Sequence, residues 1–169
     1  VGAGNGLGEV LLEQGREKEA AEVYKKLLKT IPDEPVALNS LGYIFQLQGK
    51  SQKAEECFKK AIRKAPDYAD AYINLANAQQ CQGRQDEAVK SCRRAIEIDP
   101  SDKDAYNILG RILKGQGKYE EAVKAYQSAI DVDPQYKLAY NNLGNSLSKL
   151  GKVNEAIIVY KKAIEIEQK

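Results

Sequence analysis

The sequence predicts an all-α protein, an α-solenoid in which pairs of antiparallel helices stack one after another. One observation is a 34-residue repeat of glycine, alanine and proline; five copies, the last one residue short, account for all 169 residues. The other is the helical spacing of apolar residues within each repeat. One helix pair cannot bury its apolar stripe alone, so neighbouring pairs must stack into a single domain over 1–169. The repeats are 1–34, 35–68, 69–102, 103–136 and 137–169.

Columns of small residues set the register of the repeats. These columns are Gly8, Gly42, Gly110 and Gly144; Gly15, Gly49, Gly83, Gly117 and Gly151; Ala20, Ala54, Ala88, Ala122 and Ala156; and Pro32, Pro66, Pro100 and Pro134. A further column holds Tyr24, Phe58, Tyr126 and Tyr160, with Cys92 in the remaining place. We expect Cys92 to be a buried small apolar residue rather than a reactive thiol.

The first helix of each repeat is illustrated by 103–136. Ala105, Leu109 and Ile112 recur at helical spacing, which predicts a broad apolar face. This helix should end near Gly117, because glycine readily takes the left-handed conformation of a helix stop. We expect Gly110 to let the first helix approach the second closely.

The second helix of the same repeat carries its own apolar stripe, which consists of Ala122, Val123, Tyr126, Ala129 and Ile130. Pro134 ends it, because proline has no amide to donate and clashes with the preceding turn. The small residues of this stripe, Ala122 and Ala129, are the expected partners of Gly110.

The residues after the prolines predict how the next helix begins. Asp33, Asp67 and Ser101 are of the types whose side chains accept hydrogen bonds from free amides at a helix start. We expect them to cap the following helices.

The first helix opens with VGAGNGLGEV. Gly8 belongs to a packing column, whereas Gly2, Gly4 and Gly6 stand in helical positions, where glycine costs about 1 kcal/mol relative to alanine. A truncated or frayed helix is therefore expected. Leu7 takes the place of the last glycine in GxGxxG, and no GK[ST] follows, which argues against a phosphate-binding loop.

Composition excludes several classes of function. The chain has a net charge of +2, no histidine and three cysteines, so we expect no nucleic-acid partner, no metal or cofactor, and no catalytic histidine. Without a signal-peptide core or a membrane-length apolar run, we expect no membrane insertion and a cytoplasmic location. The absence of methionine, even at position 1, predicts a segment of a longer polypeptide.

The pattern within each repeat resembles the tetratricopeptide repeat family. In the last repeat it is carried by Tyr140, Leu143, Gly144, Gly151, Ala156, Tyr160 and Ala163. Departures occur at Gly4 and Leu38, which replace an aromatic residue, at Ala76, which replaces a glycine, and at Gln168, which replaces the final proline. The resemblance implies a right-handed solenoid whose first helices line a concave groove for an extended peptide or a partner helix.

The expected groove face of the first helices is rich in asparagine. Its candidate peptide-binding residues are Asn39, Tyr43, Asn74, Asn77, Asn107, Arg111, Lys114, Asn141, Asn142 and Asn145. An asparagine amide both donates and accepts, so it suits the main chain of a peptide. The alternatives are solvated helix positions or hydrogen bonds between neighbouring repeats.

The cations of this face are unevenly distributed. Arg111, Lys114 and Lys149 lie toward the C-terminal repeats, which predicts that acidic residues of a partner prefer that end. The lysine, asparagine and arginine set of the family's carboxylate clamp for chaperone C-termini is absent from the matching positions.

The last helix is unusually apolar for a terminal one. Ile157, Ile158 and Ile166 lie on it, and Ile158 takes the place of a charged residue in every other repeat. Terminal repeats usually present a polar outer face. We expect this surface to be covered by a further repeat, a capping helix or a second copy of the chain, which makes a homo-oligomer possible.

The function predicted is a non-catalytic scaffold that binds a protein or peptide ligand. Two alternatives stay open: a recruiting arm of a larger enzyme, such as a glycosyltransferase or a phosphatase, and a scaffold that self-assembles through its terminal faces. Recognition of RNA by helical repeats finds little support, because the charge is balanced and no basic stripe with stacking aromatics lies on the expected groove.

Overall fold

The computed structural model describes residues 1–168, and ten α-helices form the regular secondary structure of that range. The helices are α1 Gly2–Glu13, α2 Glu17–Thr30, α3 Pro35–Leu47, α4 Ser51–Lys64, α5 Ala69–Cys81, α6 Gln85–Ile98, α7 Lys103–Gly115, α8 Tyr119–Val132, α9 Lys137–Lys149 and α10 Val153–Glu167. Two helices fall in each predicted repeat, which confirms the all-α prediction.

A glycine and an aromatic ring bring the two helices of a pair together. A Cβ atom added at Gly110 would lie 2.6 Å from Cε1 of Tyr126, and one at Gly42 would lie 2.6 Å from Cε1 of Phe58. Both rings are fully buried. The aromatic ring of the second helix fills the space that the glycine leaves, and the expected contact of Gly110 with Ala122 and Ala129 stays a prediction.

The first helix of each pair ends in the left-handed conformation, as predicted. Gly117 has a φ of 75°, and its amide donates to the carbonyl of Lys114 at 3.0 Å. The Lys118 amide donates to the carbonyl of Leu113, also at 3.0 Å. Together these bonds form a Schellman motif, which satisfies the last carbonyls of the helix before the chain turns.

The three predicted helix caps are wrong. Glu34 rather than Asp33 caps α3 and accepts from the Ala37 amide at 2.5 Å, and Asp102 rather than Ser101 caps α7 and accepts from the Asp104 amide at 2.8 Å. The predicted cap Asp67 is also wrong, because Tyr68 occupies the N-cap position of α5 and makes no side-chain cap hydrogen bond. At α3 and α7 the second residue after the proline, rather than the first, is the one that meets the free amides.

Helix α1 runs from Gly2 to Glu13, whereas the sequence predicts a truncated or frayed first helix. It begins at Gly2, and its Leu11 is buried against α2. Gly8 lies against the ring of Tyr24, where a Cβ atom would overlap the ring. Packing against α2 outweighs the poor helix propensity of the glycines, as tertiary contacts often do.

The chain divides into two compact units, the first Val1–Arg84 and the second beginning at Gln85. In the first unit, two apolar clusters centre on Tyr24 and Phe58. In the second, Tyr126 and Leu143 belong to one continuous cluster that joins α7, α8, α9 and α10. Each unit thus has five helices, α1–α5 in the first and α6–α10 in the second, and its own core, while a single domain over 1–169 stays a prediction.

Candidate functional site

Asparagines link the first helices of neighbouring repeats within each unit. Nδ2 of Asn74 donates to Oδ1 of Asn39 at 3.0 Å, and Nδ2 of Asn142 donates to Oδ1 of Asn107 at 2.9 Å. Asn39 and Asn107 are buried, with 7% and 6% of their surface exposed. For these four residues, the structure contains the inter-repeat hydrogen bonds that the sequence left open as an alternative to ligand contacts.

The first unit offers a mostly neutral face on α3. Tyr43 is 42% exposed and Leu47 is 49% exposed, one helical turn apart. Asn77, on α5, is half-buried and takes part in a further interaction. Of the predicted peptide-binding residues in this unit, Tyr43 is the one whose side chain is well exposed.

The second unit contains a polar cleft between the ends of α7 and α9. It has a volume of about 530 Å³ and is lined by Arg111, Lys114, Gly115, Tyr119, Asn145, Ser148 and Lys149. The structure thus brings together three of the predicted binding residues, Arg111, Lys114 and Asn145. Gly115, Tyr119, Ser148 and Lys149 complete the lining.

Helical spacing explains why these side chains converge. Arg111 and Lys114 are three residues apart on α7, and Asn145 and Ser148 are three apart on α9, so each pair shares one face of its helix. Asn141 lies one turn before Asn145 and is half-buried. Tyr119 comes from the first residue of α8, a position that helix periodicity on the first helices could not reveal.

The cleft is positively charged. Among residues 1–168, no carboxylate oxygen lies within 4.0 Å of the ammonium group of Lys114 or Lys149. Arg111 is exposed and takes part in a further interaction. Three cations therefore meet in a cleft that no acidic side chain lines, which raises the local concentration of anions.

Asn145 is oriented by a contact inside the protein. The Tyr160 hydroxyl donates to Oδ1 of Asn145 at 2.9 Å. This bond uses one of the two lone pairs of the carbonyl oxygen and leaves the NH₂ group available to a ligand.

The first unit contains an ion-pair cluster of Glu55, Arg84, Lys59 and Gln82 that was not predicted from the sequence. Glu55 has 7% of its surface exposed and accepts from Arg84 at 2.7 and 2.9 Å. Gln82 donates to it at 3.0 Å, and Lys59 pairs with it at 2.7 Å. The hydrogen bonds from Arg84, the largest effect, lower the pKa of Glu55 to about 2.

A signal for this cluster was present in the sequence. In the 34-residue register, Glu55 stands where the later repeats have Val89, Val123 and Ile157. A carboxylate in an otherwise apolar position predicts a buried ion pair. The cluster joins α4 to the end of α5, so its role is structural.

The outer face of α10 carries an apolar stripe. Val153, Ile157 and Ile164 are 56%, 46% and 53% exposed. The corresponding residues of α8 include Val123 and Ile130, which pack into the core beside α9. The stripe is thus the surface on which a following helix would stack.

The other two predicted α10 residues lie outside this stripe. Ile158 is 68% exposed and lies about 100° around the helix from Ile157. Ile166 is half-buried.

The thiols show no sign of activation. Cys92 is fully buried, as predicted, and burial raises its pKa to about 12. Burial also raises the pKa of Cys57.

No helix within residues 1–168 combines the length and the apolar character required to span a bilayer.

Five profiles described as TPR repeat or tetratricopeptide repeat match the chain. They match residues 3–35, 33–101, 91–124, 110–151 and 138–169. No curated protein sequence matches.

Similar solved structures include that of MamA, which is 30% identical, covers 95% of this chain and 94% of its own, and has a TM-score of 0.84. YrrB, described as a TPR protein with an unusual peptide-binding site, is 21% identical over 98% of this chain and 85% of its own, with a TM-score of 0.75. PilF of Pseudomonas aeruginosa is 20% identical over 96% and 74%, with a TM-score of 0.89. Repeat register, helix pairing and these similarities agree: the chain belongs to the tetratricopeptide repeat family.

Proposed function

We propose that the protein is a non-catalytic interaction scaffold that binds an extended peptide segment of a partner protein. The observation that carries this proposal is the cleft between α7 and α9, where polar side chains from two repeats converge on a space of about 530 Å³. Such a volume lies in the range typical of ligand pockets. The similarity to YrrB, a TPR protein with an unusual peptide-binding site, supports the same class of function.

Eight of the ten predicted binding residues fall into two groups, and Tyr43 and Asn77 of the first unit belong to neither. Arg111, Lys114 and Asn145 contact the ligand, and Asn141 extends the same face of α9. Asn107 and Asn142, like Asn39 and Asn74, position neighbouring first helices through their hydrogen bonds. Their remaining contribution to binding is indirect.

A steric block of the cleft tests this function without changing any charge. Peptides would be selected from a random library on the immobilised protein, and their affinities would be measured for the wild type and for Ser148→Trp. Ser148 is exposed on the cleft wall, so the indole should displace the ligand and weaken binding about ten-fold or more.

Asn154→Trp is the matched control, because Asn154 is also an exposed, uncharged polar residue but lies on α10 outside the cleft. Its affinity should stay within about two-fold of the wild type. Full binding of every selected peptide by Ser148→Trp, with normal helicity, would place the ligand elsewhere and refute the proposal.

The apolar stripe on α10 favours a second function, self-association. We propose that a second copy of the chain covers Val153, Ile157 and Ile164, with α10 packed against α10. Their exposure, against the burial of the matching residues in α8, supports this proposal. Burying exposed aliphatic side chains contributes roughly 25 cal/mol per Å².

Sedimentation equilibrium over a range of protein concentrations tests the self-association. The wild type should dimerise as concentration rises, and Ile157→Glu should remove the dimer. Ile158→Glu should weaken it less, because Ile158 lies outside the stripe, about 100° around the helix from Ile157. A wild type that stays monomeric, or equal effects of the two substitutions, would contradict α10 stacking.

A further inference from the structure

The cleft between α7 and α9 is lined mainly by hydrogen-bond donors. Its lining includes the cations Arg111, Lys114 and Lys149 and the phenol of Tyr119. Ammonium and guanidinium groups only donate hydrogen bonds. Two further donors, the NH₂ group of Asn145 and the Ser148 hydroxyl, line the same space.

A set dominated by donors does not match a neutral main chain alone. A peptide main chain presents amides and carbonyls in equal number, so a site for it needs acceptors as well as donors. Carboxylates only accept, and charge-assisted bonds to them are about twice as strong as neutral ones. The lining therefore matches an anionic ligand better than an uncharged one.

The positions of the lysines need a second explanation besides the helix dipole. Lys114 and Lys149 lie in the last turns of α7 and α9, where positive charge is favourable. The dipole accounts for one cation at each helix end, but it does not account for their convergence with Arg111 on one cleft. In addition, the ammonium groups of Lys114 and Lys149 have no carboxylate partner within residues 1–168.

Some lysines of the same unit are paired and others are not. Lys103 pairs with Asp133 at 2.5 Å, and Lys137 pairs with Glu167 at 2.6 Å. Lys124 and Lys161 are exposed outside the cleft and, like Lys114 and Lys149, have no carboxylate oxygen within 4.0 Å among residues 1–168. What distinguishes the cleft lysines is that they converge with Arg111 on one space that no acidic side chain lines.

We propose that the cleft binds an acidic segment of a partner polypeptide, with neighbouring aspartate or glutamate carboxylates held by Lys114, Lys149 and Arg111. This inference rests on the proposed peptide-binding function and specifies its ligand. The cations come from two helices around about 530 Å³, an arrangement that suits several single charges along a chain. Lysines act as separate point charges, unlike the paired donors of an arginine fork that grips one compact dianion.

Fluorescence anisotropy with two labelled peptides of equal length tests the proposal. Hexaglutamate should bind the wild type, and hexaglutamine should bind at least about ten-fold more weakly. The double variant Lys114→Gln/Lys149→Gln should lose about ten-fold or more in affinity for hexaglutamate and should retain its helicity.

The matched control is Lys124→Gln/Lys161→Gln. Both residues are exposed in the same unit but lie outside the cleft, and the variant has the same net charge as the cleft variant. It should bind hexaglutamate within about two-fold of the wild type. Equal losses in both variants would show general electrostatic attraction and would overturn the proposal.

Two further outcomes would also overturn it. One is equal binding of the two peptides. The other is tighter binding of a hexaglutamine peptide with one glutamine replaced by phosphoserine than of hexaglutamate, which would assign the cleft to a phosphoryl group. If the library peptides are neutral and remain sensitive to Ser148→Trp, the acidic-ligand inference fails while the proposed function stands.

Discussion

The two units carry the same framework beneath different surfaces. Each has one pair of hydrogen-bonded asparagines between successive first helices, at 3.0 Å in the first unit and 2.9 Å in the second. Each also has a glycine packed on an aromatic ring. The surface above this framework differs: Tyr43 and Leu47 on α3 stand where α7 has Arg111 and Gly115.

The units also differ in how they use their charges. In the first unit, Glu55 forms ion pairs with both Arg84 and Lys59 at a contact between repeats. In the second unit, the corresponding position is Val123, which packs in the core. Residues shared by the units hold the helices together, and residues that differ are the ones available for specificity.

The largest effect is expected at the shared glycine–aromatic contact. Gly110→Val should lower the free energy of unfolding by about 3 kcal/mol, because its side chain would overlap the ring of Tyr126. Thermal or urea unfolding measures this loss.

Gly115→Ala provides the control on the same helix. A Cβ atom there meets the Gln85 amide at 3.8 Å, an ordinary contact. This variant should be as stable as the wild type or up to about 1 kcal/mol more stable, because alanine is the better helix former. If both substitutions cost the same, the close approach to Tyr126 is not what requires glycine.

A smaller loss of stability is expected at the ion-pair cluster of the first unit. Glu55→Gln should destabilise the protein by roughly 2 kcal/mol, because it leaves the Arg84 guanidinium without its carboxylate. The same cluster is absent from the second unit. Hydrogen exchange should therefore show the loss of protection in α4 and α5.

The loss of stability in Glu55→Gln should depend on pH. Glu55 has a folded pKa of about 2, below the ordinary value of 4.5. A lowered pKa contributes stability above the ordinary value, and that contribution is lost as the pH falls toward 2. The difference between wild type and Glu55→Gln should be full at neutral pH and shrink below the ordinary value. A difference that stays constant down to the folded pKa would contradict the ion pair.

The smallest effect is expected at the asparagine pairs. In a double-mutant cycle, Asn107→Ala and Asn142→Ala should show a coupling of about 1 kcal/mol, because each removes one partner of a single hydrogen bond. The cycle on Asn39 and Asn74 should give a similar value. A coupling near zero in both units would mean that these amides do not hold the repeats together.

The residues that recur in every repeat were the ones whose roles could be predicted. Gly117 was predicted to end its helix and does so at positive φ, because a left-handed stop depends on local backbone geometry alone. The cap of α3 was predicted at Asp33, one residue before the observed cap, Glu34. Both side chains are similar acceptors, and which of them reaches the free amides depends on where the helix begins.

The candidate site was predicted in part. Arg111 and Lys114 were predicted from helix periodicity, but Tyr119 joins the cleft from a different helix, which no spacing on α7 indicates. The asparagines could not be divided into paired and unpaired residues from sequence, because that depends on how one first helix is offset against the next.

We propose that the ligand binds in the cleft of the second unit. A photo-crosslinking residue, benzoylphenylalanine, placed at Tyr119 or at Tyr43 would test it with the library-selected peptides. Tyr119 lines the cleft, and Tyr43 is the exposed aromatic residue of the first unit. We predict covalent capture of the peptides from position 119. Capture from position 43 with none from position 119 would contradict the account.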